Sequence, residues 1–116
     1  MSEKRSVNLF IQDIFDAIDN INGYVSGITN GNDLKNEKKT YDAVMMNFII
    51  IGEAVKYIYE AVRKDYPNVE WRQIMDMRNV LAHEYWGVDE KVVWSAIRKD
   101  LPKLKEIVTN IKNSLN

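Results

Sequence analysis

The chain of 116 residues contains no cysteine. Neither a disulfide nor a thiolate metal site can form, which fits a cytoplasmic protein in a reducing compartment. Two prolines and five glycines are too few for a loop-rich or disordered chain. A single histidine, without a carboxylate cluster beside it, makes a poor metal-ligand set, so no metal or other cofactor is expected. An excess of charge of one sign is also missing: 16 basic residues face 17 acidic ones, for a net charge of −1. Nonspecific nucleic-acid binders carry a clear basic excess, so any nucleic acid held here must meet a local positive patch. The most apolar run, residues 43–51, contains Asn47 and is too short to span a membrane. The first six residues are polar and charged, which reads as the absence of a signal peptide. There is no Gly-rich phosphate loop and no Ser-His-Asp arrangement. The length fits one domain, residues 1–116, with one modest core.

What the sequence does have is helical periodicity. Val7, Ile11, Ile14, Ile18, Ile21, Val25 and Ile28 step by fours and threes, with Phe10 and Phe15 widening the stripe. Turn formers at 29–33 end this first helix. Tyr41, Val44, Phe48, Ile51, Val55, Ile58 and Val62 form the stripe of a second helix, flanked by Met45 and Ile49. Around 48–51 that helix is apolar nearly all round, as at the centre of a bundle or at a subunit interface. Residues 65–68, with Pro67, close it. A shorter third helix runs from about Val69 to the region of His83, with Trp71, Ile74, Met75 and Leu81 on its apolar side and Gly87 as its terminator. Asp89 is placed to cap a fourth helix, whose inner face is Val93, Ile97, Leu101, Leu104, Val108, Ile111 and Leu115. Pro102 falls inside that pattern, where it should kink or split the helix. The expected fold is all-α, an up-and-down four-helix bundle.

The residues able to do chemistry gather at 78–85. Arg78 has Ile74, Met75, Leu81 and Ala82 as its helical neighbours, so its guanidinium leaves an apolar surface and requires an anion. That anion is either a phosphate or an internal carboxylate, for which Glu53 on the second helix is the candidate. His83 shares a polar stripe with Asp76 and Asn79, and Asn79 could orient it. An imidazole titrating near pH ~6.5 suits acid–base work, although a histidine at a helix end can also merely cap carbonyls. Tyr85 is either part of the same site or an interface tyrosine beside Trp86. On an ideal helix, residues five apart point ~140° from each other, so Arg78 and His83 of one chain converge poorly. Either the helix ends before His83, or two chains pool their residues across a two-fold axis.

Arg78-Asn79, followed by His83 and Tyr85, resembles the Arg-polar-x-x-x-His-x-Tyr signature of the HEPN superfamily. The wider pattern is similar to HepT-type toxins of the HEPN/MNT toxin–antitoxin systems: Ile51-Gly52-Glu53-Ala54, Trp71, Val93-Trp94 and Leu101-Pro102 all contribute. The resemblance implies a HEPN-like four-helix bundle that forms a homodimer, with a metal-independent endoribonuclease site composed at the dimer interface. It implies that His83 is the acid–base residue, that Arg78 stabilises the phosphate, and that Asn79 orients groups in the cleft. Tyr85 corresponds to the position that a partner MNT-type nucleotidyltransferase, the antitoxin, modifies with AMP to silence the toxin. The competing expectation is a helical binding module that serves only as substrate for such a nucleotidyltransferase and cuts no RNA.

Overall fold

A computed structural model describes residues 3–72, 74–76 and 87–115. The first and longest contacts are between α1 (Glu3–Tyr24) and α3 (Lys38–Val62). Their direction follows from two pairs of side chains. Phe10 stacks on Tyr57, with ring centroids 4.4 Å apart, and Asn20 donates to Asn47 at 3.3 Å. As residue number rises by ten on α1 it falls by ten on α3, so the two helices are antiparallel. The stripe Val7, Ile11, Ile14, Ile18, Ile21 and Val25 meets Val44, Phe48, Ile51, Val55, Ile58 and Val62, and every one of these side chains is buried. Met45 is buried beside them, whereas Ile49 is only half-buried.

Asn47 is a buried polar side chain within this seam. Its amide donates to the Ala43 carbonyl at 2.8 Å while its oxygen accepts from Asn20. A one-turn slip of α1 along α3 would leave that oxygen unsatisfied, and a buried unpaired acceptor costs about 1–3 kcal/mol. The pair therefore fixes the register that the apolar side chains alone leave loose.

The connection between α1 and α3 departs from the expected turn. Gly27, at φ +87°, turns the chain, but residues 31–36 then form a short helix, α2 (Gly31–Asn36). Asn30 is its N-cap, accepting from the Asp33 amide at 2.8 Å. Asn and Asp favour turns and helix N-caps through the same side-chain-to-backbone bond, so 29–33 reads either way in sequence. Leu34 is buried and draws α2 onto the bundle.

The last helical stretch opens as expected. Asp89 accepts from the Lys91 amide at 2.8 Å and caps α4 (Glu90–Ser95). Gly87 does not take the left-handed conformation of a glycine helix terminator. Pro102 is accommodated by a wider turn immediately before it. Residues Ala96–Asp100 are π-helical, and the Leu101 amide donates to the Ala96 carbonyl five residues back. In a regular α-turn the Pro102 ring would press on the carbonyl of Arg98, four residues before it. After the π-turn α5 (Leu101–Leu115) resumes. Val93, Ile97, Leu101, Leu104, Val108 and Ile111 are buried, with Leu115 half-buried. Helix α5 packs on α1, and α2 packs on both α3 and α4. The architecture of the described residues is an all-α bundle, with α2 added to the expected plan.

The contact of α2 with α4 requires glycine. A Cβ on Gly31 would lie 2.6 Å from the Glu90 carbonyl oxygen and 3.3 Å from the Trp94 Cβ. Gly31→Ala must push α2 off α4. The expected cost is about 1–3 kcal/mol, read as a lower urea midpoint at unchanged m value; an unchanged midpoint would show that α2 is not held this way.

Candidate active site

Arg78, Asn79, His83 and Tyr85 lie outside the described residues. The described residues on each side of 77–86 show how the bundle holds that segment at both ends. On its N-terminal side helical backbone is present at 71–72 and 74–76. Trp71 is buried, and its indole N–H donates to the Tyr66 carbonyl at 3.0 Å. Its ring meets Tyr59 of α3 edge-on, at 5.8 Å between centroids. The Tyr66 and Ser114 hydroxyls hydrogen-bond, and Ser114 donates to the Ile111 carbonyl at 2.8 Å. The start of this helical stretch is thus fixed to the C-terminal ends of both α3 and α5.

On the C-terminal side the Asp89 cap sets the first turn of α4. Glu90 approaches Lys35 of α2 at 3.7 Å, and the Gly31 contact presses α2 against the Glu90 backbone. Tyr41 of α3 lies in the same neighbourhood. Burial, then the nearby Glu90, Asp42 and Asp89 carboxylates, raise its phenol above the ordinary value, so it remains protonated through neutral pH.

Three sequence expectations bear directly on described residues here. Ile74 and Met75, expected on the apolar side of the third helix, are half-buried against the core. Asp76 is exposed and lies 3.9 Å from Arg72, an ordinary surface i,i+4 pair. Glu53, the proposed carboxylate partner of Arg78, is half-buried on α3 between the buried Gly52 and Ala54. On the same helix face as Glu53 lie Met46, Ile50 and Tyr57, which are 57%, 41% and 53% exposed. Steps of four, three and four residues from 46 to 57 keep these four side chains on one stripe. The apolar surplus expected around 48–51 therefore divides: Phe48 and Ile51 enter the core, and Ile50 stays outside with Met46. Among the described residues, no helix is long and apolar enough to cross a membrane.

Residues 14–111 match the family described as "Ribonuclease HepT-like". A Methanocaldococcus jannaschii protein named "Putative RNase MJ1380" is 35% identical over 105 residues, which is 90% of this chain and 95% of that protein. The "Probable ribonuclease HepT" of Thermococcus cleftensis is 38% identical over 102 residues, covering 88% of this chain and 92% of that protein. No solved structure matches the chain. With the match running through α1, α3, the motif-bearing segment and most of α5, the chain belongs to the HepT-like ribonuclease family of the HEPN superfamily.

Proposed function

We propose that this chain is a metal-independent endoribonuclease and the toxin of a toxin–antitoxin pair, acting as a homodimer whose two copies share one cleft. The observation that carries this reading is the family match across residues 14–111, which spans the Arg78-Asn79, His83 and Tyr85 motif.

The chemistry follows from the side chains. RNA cleavage by attack of a 2′-hydroxyl needs a base to take that proton. It also needs an acid to protonate the 5′-oxygen as its bond to phosphorus breaks. His83 is the only imidazole in the chain, and an imidazole can serve as either acid or base near neutral pH. Two copies across a two-fold axis supply two His83 and two Arg78 to one cleft. Arg78 offers a bidentate charge where negative charge develops on the phosphate. Asn79 orients groups in that cleft. The exposed apolar stripe of Met46, Ile50 and Tyr57 on α3 supports the pairing, because such a patch beside Glu53 gains by being covered. Tyr85 is the AMP acceptor for a partner nucleotidyltransferase. The added bulk and negative charge would compete with RNA for a site built to receive phosphate.

Three outcomes are expected. Purified protein cuts single-stranded RNA in EDTA, and His83→Ala or Arg78→Ala each lowers the rate at least ~10²-fold while circular dichroism stays helical; full activity in His83→Ala removes the catalytic assignment. Met46→Glu/Ile50→Glu converts a dimer into a monomer by light scattering and abolishes cutting with it; an active monomer argues against the shared cleft. Incubation with the partner nucleotidyltransferase and ATP adds one AMP by intact mass, and Tyr85→Phe takes up none; an adduct persisting on Tyr85→Phe places the modification elsewhere.

A further inference from the structure

The near-neutral net charge conceals a segregation along the chain. From Lys91 to the C-terminus there are six basic residues, Lys91, Arg98, Lys99, Lys103, Lys105 and Lys112, against two acidic ones, Asp100 and Glu106. The ninety residues before them hold ten basic and fifteen acidic residues. Four of the six basic residues, Lys91, Arg98, Lys105 and Lys112, recur at intervals of seven. Arg98, Lys105 and Lys112 each directly follow a buried residue, Ile97, Leu104 and Ile111, so they keep to one flank of the core-facing side, as a stripe through the π-turn and α5, with Lys91 one further interval back on α4.

All four side chains are exposed. Among the described residues none has a carboxylate within ion-pair distance. The three ion pairs formed there use Lys35, Lys38 and Arg72 instead. What the stripe touches is aromatic: Arg98 lies over the Trp94 ring at 5.4 Å and Lys112 over the Phe15 ring at 5.6 Å. The positions between them on the same flank, Pro102 and Thr109, are uncharged. Lys99 and Lys103, four apart, point to another flank, Lys103 being turned ~160° from Lys105.

We propose that this stripe is a binding track for the phosphate backbone of single-stranded RNA, beginning a few residues after the motif segment and running along the C-terminal helix. The inference rests on the ribonuclease reading for its choice of ligand. Cations about 10.5 Å apart along a line of roughly 31 Å match an extended polyanion better than a compact one. The half-exposed edge of Trp94, held under Arg98, offers a surface on which a base can stack. A lipid surface fits poorly. The apolar face of this helix is already spent on the core through Leu101, Leu104, Val108 and Ile111, leaving no apolar face to insert beyond single side chains such as Val92.

The test uses the full chain and a fluorescein-labelled single-stranded oligouridylate with 2′-O-methyl sugars, which binds but cannot be cut by 2′-hydroxyl attack. Two double variants remove the same net charge from different flanks. Arg98→Gln/Lys105→Gln should weaken binding about tenfold and flatten the dependence of log Kd on log salt by about 0.7 for each phosphate no longer neutralised. Lys99→Gln/Lys103→Gln should leave both nearly unchanged. Equal effects of the two variants would reduce the result to net charge and overturn the track, as would wild-type protein that does not bind the oligonucleotide. Equally tight binding of poly-glutamate, with the same sensitivity to Arg98→Gln/Lys105→Gln, would overturn it in favour of an acidic protein partner. The two readings fail separately. Protein that binds through the stripe but cuts no RNA in EDTA retains the track and loses the nuclease. Protein that cuts RNA while Arg98→Gln/Lys105→Gln binds and cuts as wild type retains the nuclease and loses the track.

Discussion

Everything else in the molecule leans on the antiparallel seam between α1 and α3. Among the described residues it is the most extensive helix–helix contact, and the other elements are placed by what that seam leaves uncovered. Helix α5 closes one side of it with Leu101, Leu104, Val108 and Ile111. The short α2 bridges its open end to α4 through Gly31. Apolar burial sets the strength of this seam but not its alignment, because isoleucine against valine tolerates sliding. The Asn20–Asn47 hydrogen bond supplies the alignment, one polar contact in a region where any mismatch is costly. Tyr57 in turn stays stacked on Phe10 only while that register holds.

Much of this was legible in the sequence because a helix buries one face and the burial repeats every three or four residues. The inward stripes of the first, second and last helices emerged residue for residue, apart from Tyr41 and Leu115, half-buried near helix ends, and Ile28, half-buried in the connection because α1 ends earlier, at Tyr24. Asp89 as a cap was equally readable, since its role depends on a local bond. The misses have local causes too. Asn30 and Asp33 belong to residue types that serve turns and helix starts alike, so α2 was hidden in what looked like a linker. Pro102 announced a disturbance, but the choice of a π-turn over a break depends on the core continuing to demand Leu101 and Leu104 on the same side. Gly87 looked like a terminator by type, although its backbone needs no glycine.

The candidate site was legible as chemistry rather than as position. An arginine among apolar neighbours and one histidine mark the groups on which the proposed reading rests. Their convergence depends on tertiary placement and, on the proposed reading, on a second copy, neither of which has a periodic signature. The basic stripe is a middle case. Its seven-residue interval is written in the sequence, whereas the lack of ion pairs to it among the described residues depends on which faces of the neighbouring helices turn towards it.

Trp71 and Asp89 stand on either side of the motif as fixed points of one packed bundle. One is tied through Tyr66 to α5, and the other is set by the start of α4 against α2. The chain between them therefore has a set distance to cover. Any insertion or deletion there must be absorbed between the two anchors, because neither can yield without disturbing the core. Length, as much as side-chain identity, is what this part of the chain must keep.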